Sequence, residues 1–98
     1  MTKQINIDFY RIHTWAAFYR SLHEQTELPE YFGNNLDALW DWVTGEAVLP
    51  LSVLFTNLSD FQLKKFGKLI TLMQDAQTEL EADFSFCIES RKNADDIG

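Results

Sequence analysis

Hydrophobic and polar positions alternate in three places along the chain and run at helical spacing in between. Gln4-Ile5-Asn6-Ile7-Asp8-Phe9 has the strict alternation of a strand with one buried face. Thr14 then stands as an N-cap before Trp15, Phe18, Tyr19 and Leu22, which share one face of a helix. Leu28-Pro29 closes that unit, because a residue before proline is biased away from helix. Gly33-Asn34-Asn35 supplies turn and capping chemistry for a second helix that ends near Thr44-Gly45. In it Leu36, Leu39 and Val43 point one way, Asp37, Asp41, Asn34 and Thr44 the other, with Trp40 on the border.

Glu46 to Leu49 reads as a connection, with Pro50 opening a second strand. Leu51-Ser52-Val53-Leu54-Phe55 is nearly continuous in apolar character, as suits a strand covered on both faces. Asn57 or Ser59 can cap a short helix with Phe61 as its inward residue. A longer stripe of Phe66, Leu69, Ile70, Met73, Ala76 and Leu80 follows, and Gly67 marks a break between the short helix and this longer one. Phe84, Phe86 and Ile88 alternate with Ser85 and Cys87 as a third strand, and residues 91–98 form a polar tail expected to fray. The order is strand, helix, helix, strand, helices, strand. Helical crossovers between strands require parallel pairing. The expectation is one compact α/β domain over residues 1–90: a small three-stranded parallel sheet packed with three to four helices.

Composition changes this picture only through charge. The net charge is −7, and no Lys or Arg lies between Arg20 and Lys64. That gap holds Glu24, Glu27, Glu30, Asp37, Asp41, Glu46 and Asp60, whereas eight acids and eight bases cancel outside it. The whole surplus therefore surrounds the second helix. Such a face repels nucleic acid and attracts basic surfaces by speeding encounter, although a solvated face that maintains solubility has the same composition. Cys87 is the single cysteine, so no intrachain disulfide can form and a reducing cytoplasm is expected. MTKQINIDFY lacks the apolar run of a signal peptide, and no stretch reaches membrane-spanning length.

Asp37 and Asp41 are the first chemical candidates. At i and i+4 their Cβ atoms stand about 6 Å apart, a carboxylate pair that could serve acid–base work. The helix offers no evident apolar pocket to split their pKa values, and no third ligand stands beside them to hold a metal. No glycine-rich phosphate loop, HExxH, GxSxG or His/Cys cluster is present, and no cofactor is implied. His13 and His23 read as surface or boundary residues, and Cys87 as a buried small hydrophobe. Tyr31, Phe32, Trp40 and Trp42 could stack on bases, but they lie in the segment without cations, where phosphate is repelled. Acids interleaved with Tyr and Trp suit a protein interface with a basic partner. An acidic helix shaped for a phosphate-binding cleft would act as a nucleic-acid mimic.

The stretch LPEYFGNNLDALWDWVTG, residues 28–45, closely resembles the central motif of the barstar family of intracellular ribonuclease inhibitors, and the element order matches that family over roughly residues 3–90. The resemblance implies a parallel three-stranded sheet whose second helix, with the turn before it, plugs the active site of a secreted, basic, guanine-preferring ribonuclease. It implies that Asp41 sits where a substrate phosphate would sit, among the enzyme's catalytic cations. Asp37 matches a second acidic hot spot, and Tyr31 an aromatic that stacks on a catalytic histidine. Asn35, Trp40, Thr44 and Gly45 match supporting contacts. Asp75, one methylene shorter than the family's Glu, matches a further ion pair. Charge steering and hot spots are carried over here from the ribonuclease–barstar pair, which is itself the reference case for both.

Three departures stand out. Glu46 replaces a tryptophan of the family archetype, Trp42 and Ala82 replace cysteines, and the region between the second strand and the long helix is shorter. The function expected is stoichiometric inhibition of a barnase-type ribonuclease or ribonuclease-like toxin by a cytoplasmic protein, monomeric when free, with no enzymatic activity. Two alternatives stand beside it: an interaction or immunity module for some other basic protein, and a small hydrolase using the carboxylate pair.

Overall fold

A computed structural model describes residues 2–91. It contains β1 (Lys3–Asp8), α1 (Trp15–Gln25), α2 (Leu36–Gly45), β2 (Leu51–Leu58), α3 (Asp60–Lys65), α4 (Gly67–Leu80), a 3-10 turn (Glu81–Asp83) and β3 (Phe84–Ser90). The strands pair in parallel in the order β1-β2-β3, with Ile5 opposite Val53 and Val53 opposite Phe86. The fold is therefore α/β, a three-stranded parallel sheet with four helices, as the residue pattern predicts. The shortened region still forms α3.

Caps set the helix starts. Thr14 accepts from the Ala17 amide at 3.0 Å, and Asn35 accepts from the Ala38 amide at 2.8 Å. Ser59, rather than Asn57, caps α3 in a reciprocal capping box with Gln62. Asn57 instead takes a left-handed conformation (φ 62°) and donates from its side chain to Asp8 Oδ1. Phe66 caps both α3 and α4, so the break falls at Phe66, one residue before the expected Gly67, which is the first residue of α4.

The sheet is covered on one face only, which corrects the expectation for β2. In the order β1-β2-β3, two right-handed crossovers bring every helix to the same side. Ile5, Ile7, Leu51, Val53, Phe55 and Phe84 are buried there, while Leu54 is half-buried and Asn6, Ser85 and Cys87 are exposed on the other face. Cys87 is thus an exposed thiol, not a core residue. Phe9, Phe18, Phe55 and Phe66 form the aromatic centre, with Phe9 5.0 Å from Phe55 and 5.3 Å from Phe66. Leu39, Trp42 and Val43 of α2 and Leu69, Met73 and Ala76 of α4 complete the core.

A glutamine engages one residue on each edge strand of the sheet. Gln25 of α1 accepts from the Asn6 amide at 2.9 Å and donates to its carbonyl, and Gln77 of α4 accepts from the Phe86 amide at 2.7 Å. These bonds occupy backbone groups that would otherwise invite another strand.

Two further expectations change. Phe61 is 71% exposed, and its neighbour Gln62 is buried in its place. The Gln62 amide donates to the carbonyls of Phe9 at 2.8 Å and Ile12 at 2.7 Å, which the loop after β1 turns inward. Arg91, assigned to the tail, continues the β3 ladder through its amide to Leu58 O at 2.7 Å and stacks its guanidinium on Tyr10. The rest of that tail, residues 92–98, lies outside the described residues.

Candidate functional site: an acidic groove between two helices

The turn that leads into α2 is held from α1. Phe32 is buried against Tyr19 and meets the His23 ring edge-on at 5.8 Å, and its amide closes a turn onto Pro29 O. His23 Nε2 lies 3.0 Å from Asn34 Oδ1, an amide oxygen that only accepts, so the imidazole donates. His23 is therefore a positioning residue that the sequence pattern does not single out. Asn34 itself adopts φ 51°, a conformation asparagine tolerates, and sets Asn35 in place as the cap. A Cβ at Gly33 would meet the Asn35 side-chain nitrogen at 2.9 Å, so a larger residue there would disturb the capping amide.

From that cap α2 runs with Leu39, Trp42 and Val43 inward and Asp37 and Asp41 exposed. Trp42, a candidate for stacking on bases, belongs to the core, as does Phe32. Trp40 is half-buried. A groove of ≈ 510 Å³ between α2 and α4 is lined by Leu36, Asp37, Trp40 and Asp41 on one side. Lys68, Thr71, Leu72 and Asp75 line the other. The fold thus brings Asp75 to the Asp37–Asp41 pair across 34 residues of sequence. It also brings Lys68, a cation that the segment itself lacks, to the wall of the same groove. Helical spacing along α4 could have revealed Lys68, which falls seven residues before Asp75 on the same face.

At the far end of α2, Thr44 is half-buried and donates to Trp40 O at 2.7 Å within its own helix. Gly45 is the last helical residue, as expected from its position, and it has no positive φ. The helix ends with the amides of Glu46 and Ala47 both bonded to Trp42 O. Glu46 carries a hydrogen bond from the Tyr31 hydroxyl to its Oε1 at 2.8 Å. Tyr31 is 78% exposed, and that bond to a carboxylate raises its hydroxyl above the usual phenol range. The nine predicted residues thus fall into three groups. Asp37, Trp40, Asp41 and Asp75 share the groove; Tyr31 and Glu46 form a pair; Asn35, Thr44 and Gly45 shape the helix between them.

The groove is open, its carboxylates are exposed, and no three His, Cys, Asp or Glu side chains gather for a metal among the described residues. No helix among those residues is long and apolar enough to cross a membrane.

Fold and groove together define a small α/β protein that presents an acidic helix face. The chain belongs to the barstar family: the family's sequence model, described as Barstar (barnase inhibitor), matches residues 2–91. A Bacillus subtilis (strain 168) protein named "Putative ribonuclease inhibitor YrdF" is 33% identical over 91 residues, covering 89% of this chain and 99% of that relative. Barstar-family proteins are inhibitors, not enzymes, so the carboxylate pair is not read as a hydrolase centre.

Proposed function

We propose that this protein inhibits a basic, guanine-preferring ribonuclease of the barnase type, one inhibitor to one enzyme, by laying the acidic face of α2 over the active site. Asp41 stands in for a substrate phosphate and Asp37 engages a second cation. Tyr31 offers a stacking face, Asp75 adds an ion pair from α4, and Asn35, Trp40, Thr44, Gly45 and Glu46 complete the contact. The observation that carries this reading is the convergence of Asp37, Asp41 and Asp75 on one groove beside Trp40. These carboxylates are exposed, so a partner's cations can reach them, and the surrounding negative field speeds encounter with a basic enzyme. The protein works without metal, cofactor or nucleic acid, as a monomer, in a reducing cytoplasm where its one thiol stays free.

A second reading shares the surface but not the target. Glu46 and Lys68 reshape the charge of the face, which favours a different basic toxin as the cognate partner. Titrating the protein into RNA-cleavage assays of several small basic ribonucleases separates the two. Loss of activity at one equivalent for a barnase-type enzyme supports the first reading. No inhibition across the panel, with a non-nuclease captured through α2, replaces it by the second.

A further inference from the structure

Glu46 stands at the C-cap of α2, where the helix dipole is negative and an anion weakens rather than supports the helix. Its backbone amide already serves the cap through Trp42 O, and its side chain is exposed. The carboxylate therefore has no evident role in the stability of α2. What it does contact is Tyr31, fifteen residues earlier, on the turn before the helix. The Tyr31 ring is mostly in solvent, and a side chain so placed samples several rotamers unless something ties its tip. A hydroxyl donating to a carboxylate at 2.8 Å is such a tie, and a charge-assisted one.

We propose that Glu46 is a positioning residue for partner binding: its carboxylate fixes the Tyr31 ring in one orientation before the partner arrives. This rests on the reading of α2 and its preceding turn as the partner-facing surface. With the hydroxyl engaged, Tyr31 presents its ring face and not a free donor, which suits stacking against a flat group of the partner. The ordering of one side chain is then complete in the free protein instead of being charged to association. Glu46 thereby compensates by preorganisation for the aromatic surface it does not itself supply.

The test has two arms. In the free protein, aromatic 13C relaxation reports the order of the Tyr31 ring. The ring is ordered in the native protein, mobile in Glu46→Ala, and ordered again in Glu46→Gln, whose amide oxygen still accepts. In the second arm, affinity for purified barnase is measured at high salt, where the lost charge counts least. There Glu46→Ala raises Kd roughly two- to twelvefold, the ordering cost of one side chain. Glu46→Gln restores it, Tyr31→Phe matches Glu46→Ala, and the double variant is no worse than either. Ring order unchanged in Glu46→Ala overturns the proposal, as does a Glu46→Gln protein as weak as Glu46→Ala at high salt. A native protein that binds no barnase, with the ring loosening as stated, overturns the barnase-type reading and not the positioning of Tyr31.

Discussion

Replacing Gln62 by Met tests how the fold is held apart from how it binds. The two side chains have similar length, so Gln62→Met keeps the buried volume and deletes every hydrogen bond of the side chain, including a long 3.4 Å one from Arg91. Ile12 O, bonded at 2.7 Å, has no other hydrogen bond among the described residues, and orphaning it costs about 1–3 kcal/mol. Phe9 O keeps longer contacts to the Ile12 amide and Arg91, both 3.4 Å, so its loss is about 1 kcal/mol. Ser59 loses the acceptor at 3.0 Å that completes the capping box, worth roughly another 0.5–1 kcal/mol. Burying a thioether in place of an amide returns roughly 1 kcal/mol. The net expectation is a loss of about 2–4 kcal/mol, a large share of the ~5–15 kcal/mol a domain of this size has. Urea titration followed by tryptophan fluorescence and far-ultraviolet circular dichroism should move the midpoint down by about 1–3 M with unchanged slope. Because Gln62 does not line the α2–α4 groove, the folded fraction should bind its partner as tightly as before. A midpoint shift below about 0.5 M would refute the reasoning, and would mean that water replaces the amide at both carbonyls.

The remaining predictions concern the binding face and pH. Asp41→Ala should weaken binding to a basic ribonuclease by at least ~2 kcal/mol, about thirtyfold in Kd by titration calorimetry, while the free protein's stability shifts only by tenths. Gly45→Ala should behave in the opposite sense to Gln62→Met. Nothing lies within 4 Å of the added Cβ, so helix propensity stabilises the free protein by about 0.5–1 kcal/mol in thermal unfolding, while close approach of a partner to Gly45 is lost and inhibition weakens. Tyr19 has a buried hydroxyl without a hydrogen-bond partner among the described residues, and burial pushes its pKa up to about 12 from 10.0. A raised folded-state pKa leaves stability intact below pH 10 and removes it as pH climbs toward 12, because the unfolded chain ionises first. Tyr19→Phe should flatten that alkaline loss in pH-dependent unfolding and stabilise the protein by ~1 kcal/mol at neutral pH. A steeper loss in the variant would contradict it.

What the sequence makes legible is whatever depends on neighbours along the chain. The alternation in β1, the caps at Thr14 and Ser59, the break between α3 and α4 to within one residue, and the element order all follow from local pattern, and they fix the fold class through the rules for parallel connections. The features that local pattern misses have a common origin in contacts between distant segments. The apolar pattern of β2 and β3 gives no sign that both crossovers lie on one side, so it predicts a covered Leu54 and a buried Cys87 where the structure has one half-buried and the other exposed. A hydrophobicity rule prefers Phe61 to Gln62, because the inward carbonyls of Phe9 and Ile12 that need an amide are invisible until the loop is placed. Asp37 and Asp41 were readable as a pair on one helix. That Asp75 and Lys68 join them, that Glu46 reaches back to Tyr31, and that His23 holds Asn34 are tertiary facts.

The charge pattern of α2 makes sense only when its two faces are judged separately. On its exposed side the helix has almost every electrostatic feature that weakens a helix: like charges one turn apart, no basic residue in the last turn, and an anion at the C-cap. Asp37 in the first turn is the single favourable placement. On its inner side Leu39, Trp42 and Val43 are each 5% exposed or less. Burying such side chains is worth roughly 1.5–3 kcal/mol apiece, several times the few tenths that each repulsive pair removes. The inner face therefore determines that the segment is helical, and the outer face is free to be set by something else. That outer face carries Asp37 and Asp41, with Glu46 at its end and no base of its own, and it follows a turn held by Phe32 and His23. On the proposed function, outer substitutions should alter recognition and inner ones folding, with Gly45 and Glu46 at the junction where the two meet.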